Sequence, residues 1–212
     1  MELNKKITRE RMSLFLEKNK TKVNVLDVGS GGSCYNVYFP NRTTFDIDEL
    51  RSPDIVGDIH KMPFQNEQFD VVLCTEVFEH LKNPFKAAQE IKRVLKNNGK
   101  LVLTTRFIFP IHDSPNDFFR YTKYGLKEIF KDWKDVVIIE EAETVETISI
   151  LLQRLIFQVD YKFNNLIKVL FLVLIKLFLC LNKFKLKEFG EISKKNQEKT
   201  IMSSGYYLVA NK

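Results

Sequence analysis

Cysteine is scarce in this 212-residue chain: Cys34, Cys74 and Cys180 stand far apart, with neither paired nor metal-ligand spacing. That excludes a disulfide framework and a structural zinc knot, suits a reducing compartment, and leaves no metal expected. Residues 1–20 lack the continuous apolar core of a signal peptide. With Ile7, Leu14, Phe15 and Leu16 scattered among charges, they read as a short amphipathic helix. Internal repeats and low-complexity linkers are absent too. The length then suits one α/β domain with a full core plus an insertion. Surplus charge is missing from most of the chain. Between Arg154 and Lys199 ten Lys/Arg face four Asp/Glu, which accounts for the whole net charge of +6. The same segment is the most apolar in the chain, and basic plus apolar suits a membrane surface better than a phosphate backbone.

Strand-like and helix-like runs alternate, the pattern of a parallel sheet covered on both faces. The strands read Val23–Val28, Thr43–Ile47, Asp54–Val56, Phe69–Cys74, Lys100–Thr105, Val136–Glu140 and Tyr206–Ala210. Asn83–Leu95 reads as a helix with Phe85, Ala88, Ile91, Val94 and Leu95 on one face, and Thr122–Phe130 as a second with a Thr cap. Only Ser33–Phe39 is available for a helix between the first two strands, before Pro40. From 142 to 204 the pattern changes to an insertion of its own helices, amphipathic over Thr147–Asp160 and strongly apolar over Leu166–Leu181. The domain division is therefore 1–141 plus 205–212, with 142–204 inserted.

Val25 to Ser33 reads Val-Leu-Asp-Val-Gly-Ser-Gly-Gly-Ser, an apolar strand running into a glycine turn. Glycine suits a sharp bend with φ > 0 and close approach to a ligand. In the matching dinucleotide fingerprint a pyrophosphate sits on the next helix N-terminus. Here Asp27 stands beside that spot; it repels a phosphate and suits an ammonium or sulfonium, which points to S-adenosylmethionine. Asp46, ending the second strand about 20 residues on, is placed to hydrogen-bond ribose hydroxyls. A nicotinamide-dependent dehydrogenase is disfavoured, since Cys34 replaces the third glycine and Asp27 is badly placed for a phosphate.

With these motifs in order, the chain resembles class I S-adenosylmethionine-dependent methyltransferases of the methyltransferase 11 type, over roughly Val23–Phe130 plus the closing strand. The resemblance implies a Rossmann-like, seven-stranded sheet with an antiparallel last strand, a three-layer sandwich, and the insertion between the last two strands. It makes Asp27, Gly29, Gly31, Asp46, Asp58, Ile59 and Cys74 the cofactor-binding set. Gly57-Asp58 through Pro63-Phe64 looks like the family's loop in which the Asp accepts from the adenine amine and the next amide, that of Ile59, meets the ring. Glu76, Glu79 and His80 match a common family pattern, and Glu79-His80 serve equally well as a structural hydrogen bond.

The loop after the fifth strand, Thr104 to Thr122, gathers His112, Asp113, Asp117, Arg120 and Tyr121 among phenylalanines. It looks like that of a bacterial subgroup linked to cell-surface glycan or lipid pathways. His112 is the first choice of general base for a hydroxyl acceptor and Asp117 the second, because an imidazole titrates near neutrality. His80, Arg106, Arg120 and Tyr121 are the substrate-side candidates. The competing structural reading pairs Asp117 with Arg120 and lets Tyr121 cap the next helix.

On a helical wheel every polar residue from Asn164 to Lys183 falls within an arc of about 120°. A spanning helix would place Lys176 in hydrocarbon at roughly 3 kcal/mol and strand Tyr206–Ala210 on the far side. A helix lying in the interface avoids both. The expected partners are thus a small-molecule or lipid-linked substrate and a membrane surface through residues 147–187, with no nucleic acid. The location is cytoplasmic, peripheral to the inner face of the membrane. Two alternatives stand beside this: a catalytically silent S-adenosylmethionine-binding module, and a soluble small-molecule methyltransferase whose apolar helix mediates dimerisation.

Overall fold

A computed structural model of the chain describes residues 6–32, 34–161, 164–184 and 186–212; Ser33, the last residue of the glycine motif, lies outside them. The described residues form two compact units. One comprises the described residues of Phe15–Arg106, Ile111–Ile139 and Tyr206–Lys212; the other comprises those of Met1–Leu14, Phe107–Pro110 and Glu140–Gly205.

Seven strands make the main sheet: β1 (Val25–Val28), β2 (Arg42–Asp46), β3 (Ile55–Val56), β4 (Phe69–Thr75), β5 (Leu95–Arg106), β6 (Lys134–Glu140) and β9 (Gly205–Asn211). Their order is β3-β2-β1-β4-β5-β9-β6. β1 pairs in parallel with β2 and β4, Val28 lying opposite Phe45 on one side and Cys74 on the other. β2–β3 and β4–β5 are parallel as well. β9 is antiparallel: the Lys212 amide donates to Gly99 at one end of β5, and the Phe107 amide just beyond its other end donates to Ser204, each at 3.0 Å. Strand order reverses between β1 and β4, so the carboxyl ends of these two flank the switch point at which such sheets bind ligands.

Burial explains the strands. All four residues of β1 are buried, as a parallel strand covered on both faces requires. α2 (Pro84–Val94) begins at Asn83, whose side chain accepts from the Lys86 amide at 3.0 Å. It buries Ala87, Ala88, Ile91 and Val94. Phe85, expected on that face, is exposed; it stands about 120° around the helix from Ile91 at 100° per residue. α3 (Lys123–Ile129) starts at Thr122, whose Oγ1 accepts from Gly125 at 3.1 Å. Tyr121 therefore does not cap it. Between β1 and β2 there is a turn closed by the Tyr38 and Phe39 amides on Tyr35, where the sequence had room only for a short helix. A helical turn too few and Pro40 account for the difference.

The other unit is built on α4 (Thr144–Gln158) and α5 (Asn164–Leu181). α1 (Ile7–Lys18) contributes its first residues. Ile7 packs with Ala142 and Ile150, and Phe109 and Leu179 lie against them. Arg11 makes a bidentate ion pair with Glu146 at 2.7 and 2.8 Å. The polar stretch after the helices forms the antiparallel pair β7 (Glu188–Phe189) and β8 (Gln197–Glu198). α5 turns Ile175 inward at 2% exposure and leaves Leu166, Val169, Leu170, Val173, Leu177 and Leu181 exposed along one stripe. Among the described residues no helix is long and apolar enough to cross a membrane.

Candidate active site

The turn after β1 is held by backbone geometry that glycine permits. Gly29, Gly31 and Gly32 have φ of +66°, +54° and +72°. The Gly29 amide donates to Phe45 at 2.7 Å, tying the turn to β2. A Cβ on Gly29 would stand 2.2 Å from Val77 Cγ2, whereas one on Gly32 would meet no atom within 4 Å. The turn is thus tight on its inner side and open on its outer one.

Asp46 ends β2 and braces that turn. Its Oδ2 accepts from Gly31 at 2.8 Å and its Oδ1 from Asp48 at 3.0 Å. An ionised carboxylate offers about four lone-pair sites, so two backbone amides leave acceptor capacity for ribose hydroxyls. Asp27 is fully buried. Its Oδ2 is ion-paired with Arg42 from β2, and its Oδ1 has no hydrogen-bond partner. Burial outweighs the guanidinium and pushes Asp27 up to about 7. The sequence reading did not include Arg42. Its charge offsets the one that Asp27 was expected to offer a sulfonium.

Asp58 opens a single 3-10 turn, its Oδ1 accepting from the His60 amide at 2.8 Å. That bond, first among the causes, holds its carboxyl below the usual range. Its side chain is 55% exposed, which leaves it accessible to an exocyclic amine. Ile59 beside it is buried. Cys74 is buried in β4, and burial raises its thiol, so toward a ligand this residue can offer only its backbone. These groups suit a nucleoside carrying a short charged tail: hydroxyl acceptors at β2, an amine acceptor at residue 58, and a turn open on its outer side.

The acceptor side is a polar cluster around the end of β4. Glu76, with φ +58°, pairs with Arg106 and accepts from Thr104 Oγ1 at 2.8 Å. Arg106, expected at the pocket edge, is buried there. Glu79 is fully buried; its Oε2 accepts from Thr105 Oγ1 at 2.7 Å. Burial, then the Glu76 charge, push it up to about 8. His80 Nδ1 lies 2.6 Å from the Asn116 carbonyl, and its ring meets that of His112 edge-on at 4.9 Å. Asp117 accepts from both Arg120 nitrogens at 2.6 Å and from the His112 amide at 3.0 Å. The Arg120 contact dominates in holding Asp117 down to about 2. Tyr121 is buried, its hydroxyl donating to the Phe78 carbonyl at 2.8 Å. The loop thus brings His112, Asp117, Arg120, His80 and Glu79 together, while Tyr121 and Arg106 face inward.

A doubly wound sheet with a glycine turn and an acid at the ends of β1 and β2 defines the class I methyltransferase architecture. Residues 26–103 match the family model described as methyltransferase domain. Over these residues the chain is similar to that family, of the class I S-adenosylmethionine-dependent kind. It is 41% identical over 105 residues to an uncharacterized protein of Methanocaldococcus jannaschii, a match covering 44% of this chain and 46% of that one. It is 30% identical over 115 residues to a ubiquinone biosynthesis O-methyltransferase of Pseudomonas entomophila, covering 45% and 47%. The chain thus spans about half the length of these curated relatives. A solved SAM dependent methyltransferase from Archaeoglobus fulgidus shares the fold, with TM-score 0.58 and 15% identity over 97% of this chain and 92% of that one.

Proposed function

We propose that the protein transfers a methyl group from S-adenosylmethionine to an oxygen of a small or lipid-linked acceptor at a membrane surface. The observation that carries the reading is the pairing of the open glycine turn with Asp46 at the β1/β4 switch point. When bound, S-adenosylmethionine supplies an electrophilic methyl on a sulfonium that is already a good leaving group. Asp46 would hold the ribose, Asp58 and the Ile59 amide the adenine, and the backbone of Gly29, Gly31 and Cys74 the methionine part. Asp27, closed off by Arg42, would shape the turn from below.

Chemistry of this kind asks the protein mainly for alignment. The Asp117–Arg120 pair would fix the loop. Activation of the acceptor hydroxyl would fall to the polar cluster, His112 first, with Asp117 behind it and His80 beside it. An oxygen acceptor is favoured because the Pseudomonas relative is named as an O-methyltransferase. The membrane surface is favoured by the exposed apolar stripe of α5 and the basic character of residues 154–199. Calorimetry with S-adenosylmethionine on wild type and Asp46→Ala tests the cofactor half; undiminished binding in the variant overturns the assignment. Labelled methyl transfer into membrane and soluble extracts tests the acceptor half.

A further inference from the structure

Three side chains near the end of β4 turn donor atoms toward one point. The carboxylate of Glu79 and one ring nitrogen each of His80 and His112 all lie within 4.8 Å of one another. Glu79 is fully buried, and Thr105 occupies only its Oε2. Its Oε1 has no hydrogen-bond partner and stands 3.8 Å from His112 Nε2. A buried carboxylate oxygen with nothing to accept from is costly.

The imidazoles are oriented as ligands are. His80 Nδ1 faces the Asn116 carbonyl at 2.6 Å; a carbonyl can only accept, so Nδ1 carries the proton, and in the neutral ring Nε2, 3.9 Å from Asp113 Oδ2, presents its lone pair. His112 Nδ1 faces Asp117 Oδ2 at 3.6 Å, and its Nε2 faces Glu79. For His80 this is the usual support of a metal-binding histidine, a second-ring nitrogen donating to a carbonyl; the His112–Asp117 approach is too long for a hydrogen bond. The nearby guanidinium groups are drawn to other carboxylates, Arg120 to Asp117 and Arg106 to Glu76.

We propose that Glu79, His80 and His112 bind one divalent transition-metal ion of the zinc class, leaving its remaining positions open. Two imidazoles and a carboxylate form a ligand set of catalytic zinc and of other first-row ions, whereas magnesium and calcium prefer oxygen ligands. Bonds of about 2.1 Å hold tetrahedral ligands about 3.4 Å apart, so no pair within 4.8 Å closes by more than about 1.4 Å. This site deepens the methyl-transfer reading and rests on it; with the ion bound, His112 is a ligand and the ion takes its place in activating the acceptor hydroxyl. When bound, such an ion would lower the pKa of an acceptor hydroxyl beside it, the proton passing to solvent and the oxygen serving as nucleophile. The spacing of the cysteines argues only against a cysteine-built zinc site and carries no information about one built from histidines and a carboxylate.

The test uses the full chain after chelator treatment, titrated with Zn²⁺ alone by calorimetry and with Co²⁺ by visible absorption. One equivalent should bind, with a Co²⁺ spectrum of imidazole coordination. Glu79→Gln and His112→Ala should each weaken binding at least tenfold. Unchanged circular dichroism identifies a folded variant, and His112→Ala on the loop guards against loss of folding in the buried Glu79→Gln. Absence of stoichiometric binding by wild type, or binding equal to wild type in the folded variants, overturns the proposal. Binding of S-adenosylmethionine is measured separately. A chain that takes Zn²⁺ but not the nucleoside refutes the methyl-transfer reading alone, and the converse refutes the metal site alone.

Discussion

Two residues of the glycine turn give predictions with opposite physical origins. Gly29 has φ +66° and Val77 pressed against the position of its missing Cβ. Gly29→Ala should lose about 2–4 kcal/mol, combining left-handed strain with the clash. Adding Val77→Ala should recover the clash and leave about 1–2 kcal/mol; urea unfolding of both variants measures this. Asp27 is electrostatic instead. Burial raises it from the ordinary 3.8 to about 7 despite Arg42. The unfolded chain sheds this proton near pH 4 and the folded one near pH 7. The native state therefore loses stability as pH climbs through that window and no more above it. Asp27→Asn has no such proton, so its Tm relative to wild type should rise from pH 4 to 7 and then level off. A difference that stays flat shows an ionised Asp27 throughout and removes the argument.

At the scale of elements, what was legible in the sequence was what local chemistry decides. Strand positions followed from short apolar runs bounded by turns, and the starts of α2 and α3 from Asn83 and Thr122 as caps. Thr122→Ala should cost about 1 kcal/mol by thermal unfolding, since the Gly125 amide loses its acceptor. Phe85 was misplaced because a short helix shows too few turns for its buried face to be read from apolar letters alone. Arg42 was missed for a different reason. A cation beside a buried acid is a cross-strand fact, set by the register that brings Arg42 of β2 near Asp27 of β1, and nothing in the spacing of fifteen residues announces it. The Glu79–His80–His112 cluster likewise joins two loops. Its one visible signal was the adjacency of an acid and a histidine after a buried strand.

At the scale of the molecule, one segment concentrates both the charge and the exposed apolar surface. Residues 154–199 hold the whole surplus of +6, and within them α5 leaves Val173 58% and Leu177 51% exposed. Neither property alone identifies a lipid surface. A polar basic patch suits nucleic acid, and a neutral apolar stripe suits a second copy of the chain. Together they predict binding that needs both forces and responds separately to each. Flotation with vesicles should rise with the fraction of anionic lipid and fall with salt, each basic residue near the surface contributing about 1 kcal/mol. Val173→Asp with Leu177→Asp should abolish flotation at every lipid composition while S-adenosylmethionine binding persists, because these side chains lie outside the cofactor site. Dimerisation through the same stripe predicts instead that wild type sediments as a dimer without lipid, and that the double variant becomes monomeric. Vesicle binding by the double variant equal to that of wild type would remove the membrane from the proposed function and leave a soluble acceptor in its place.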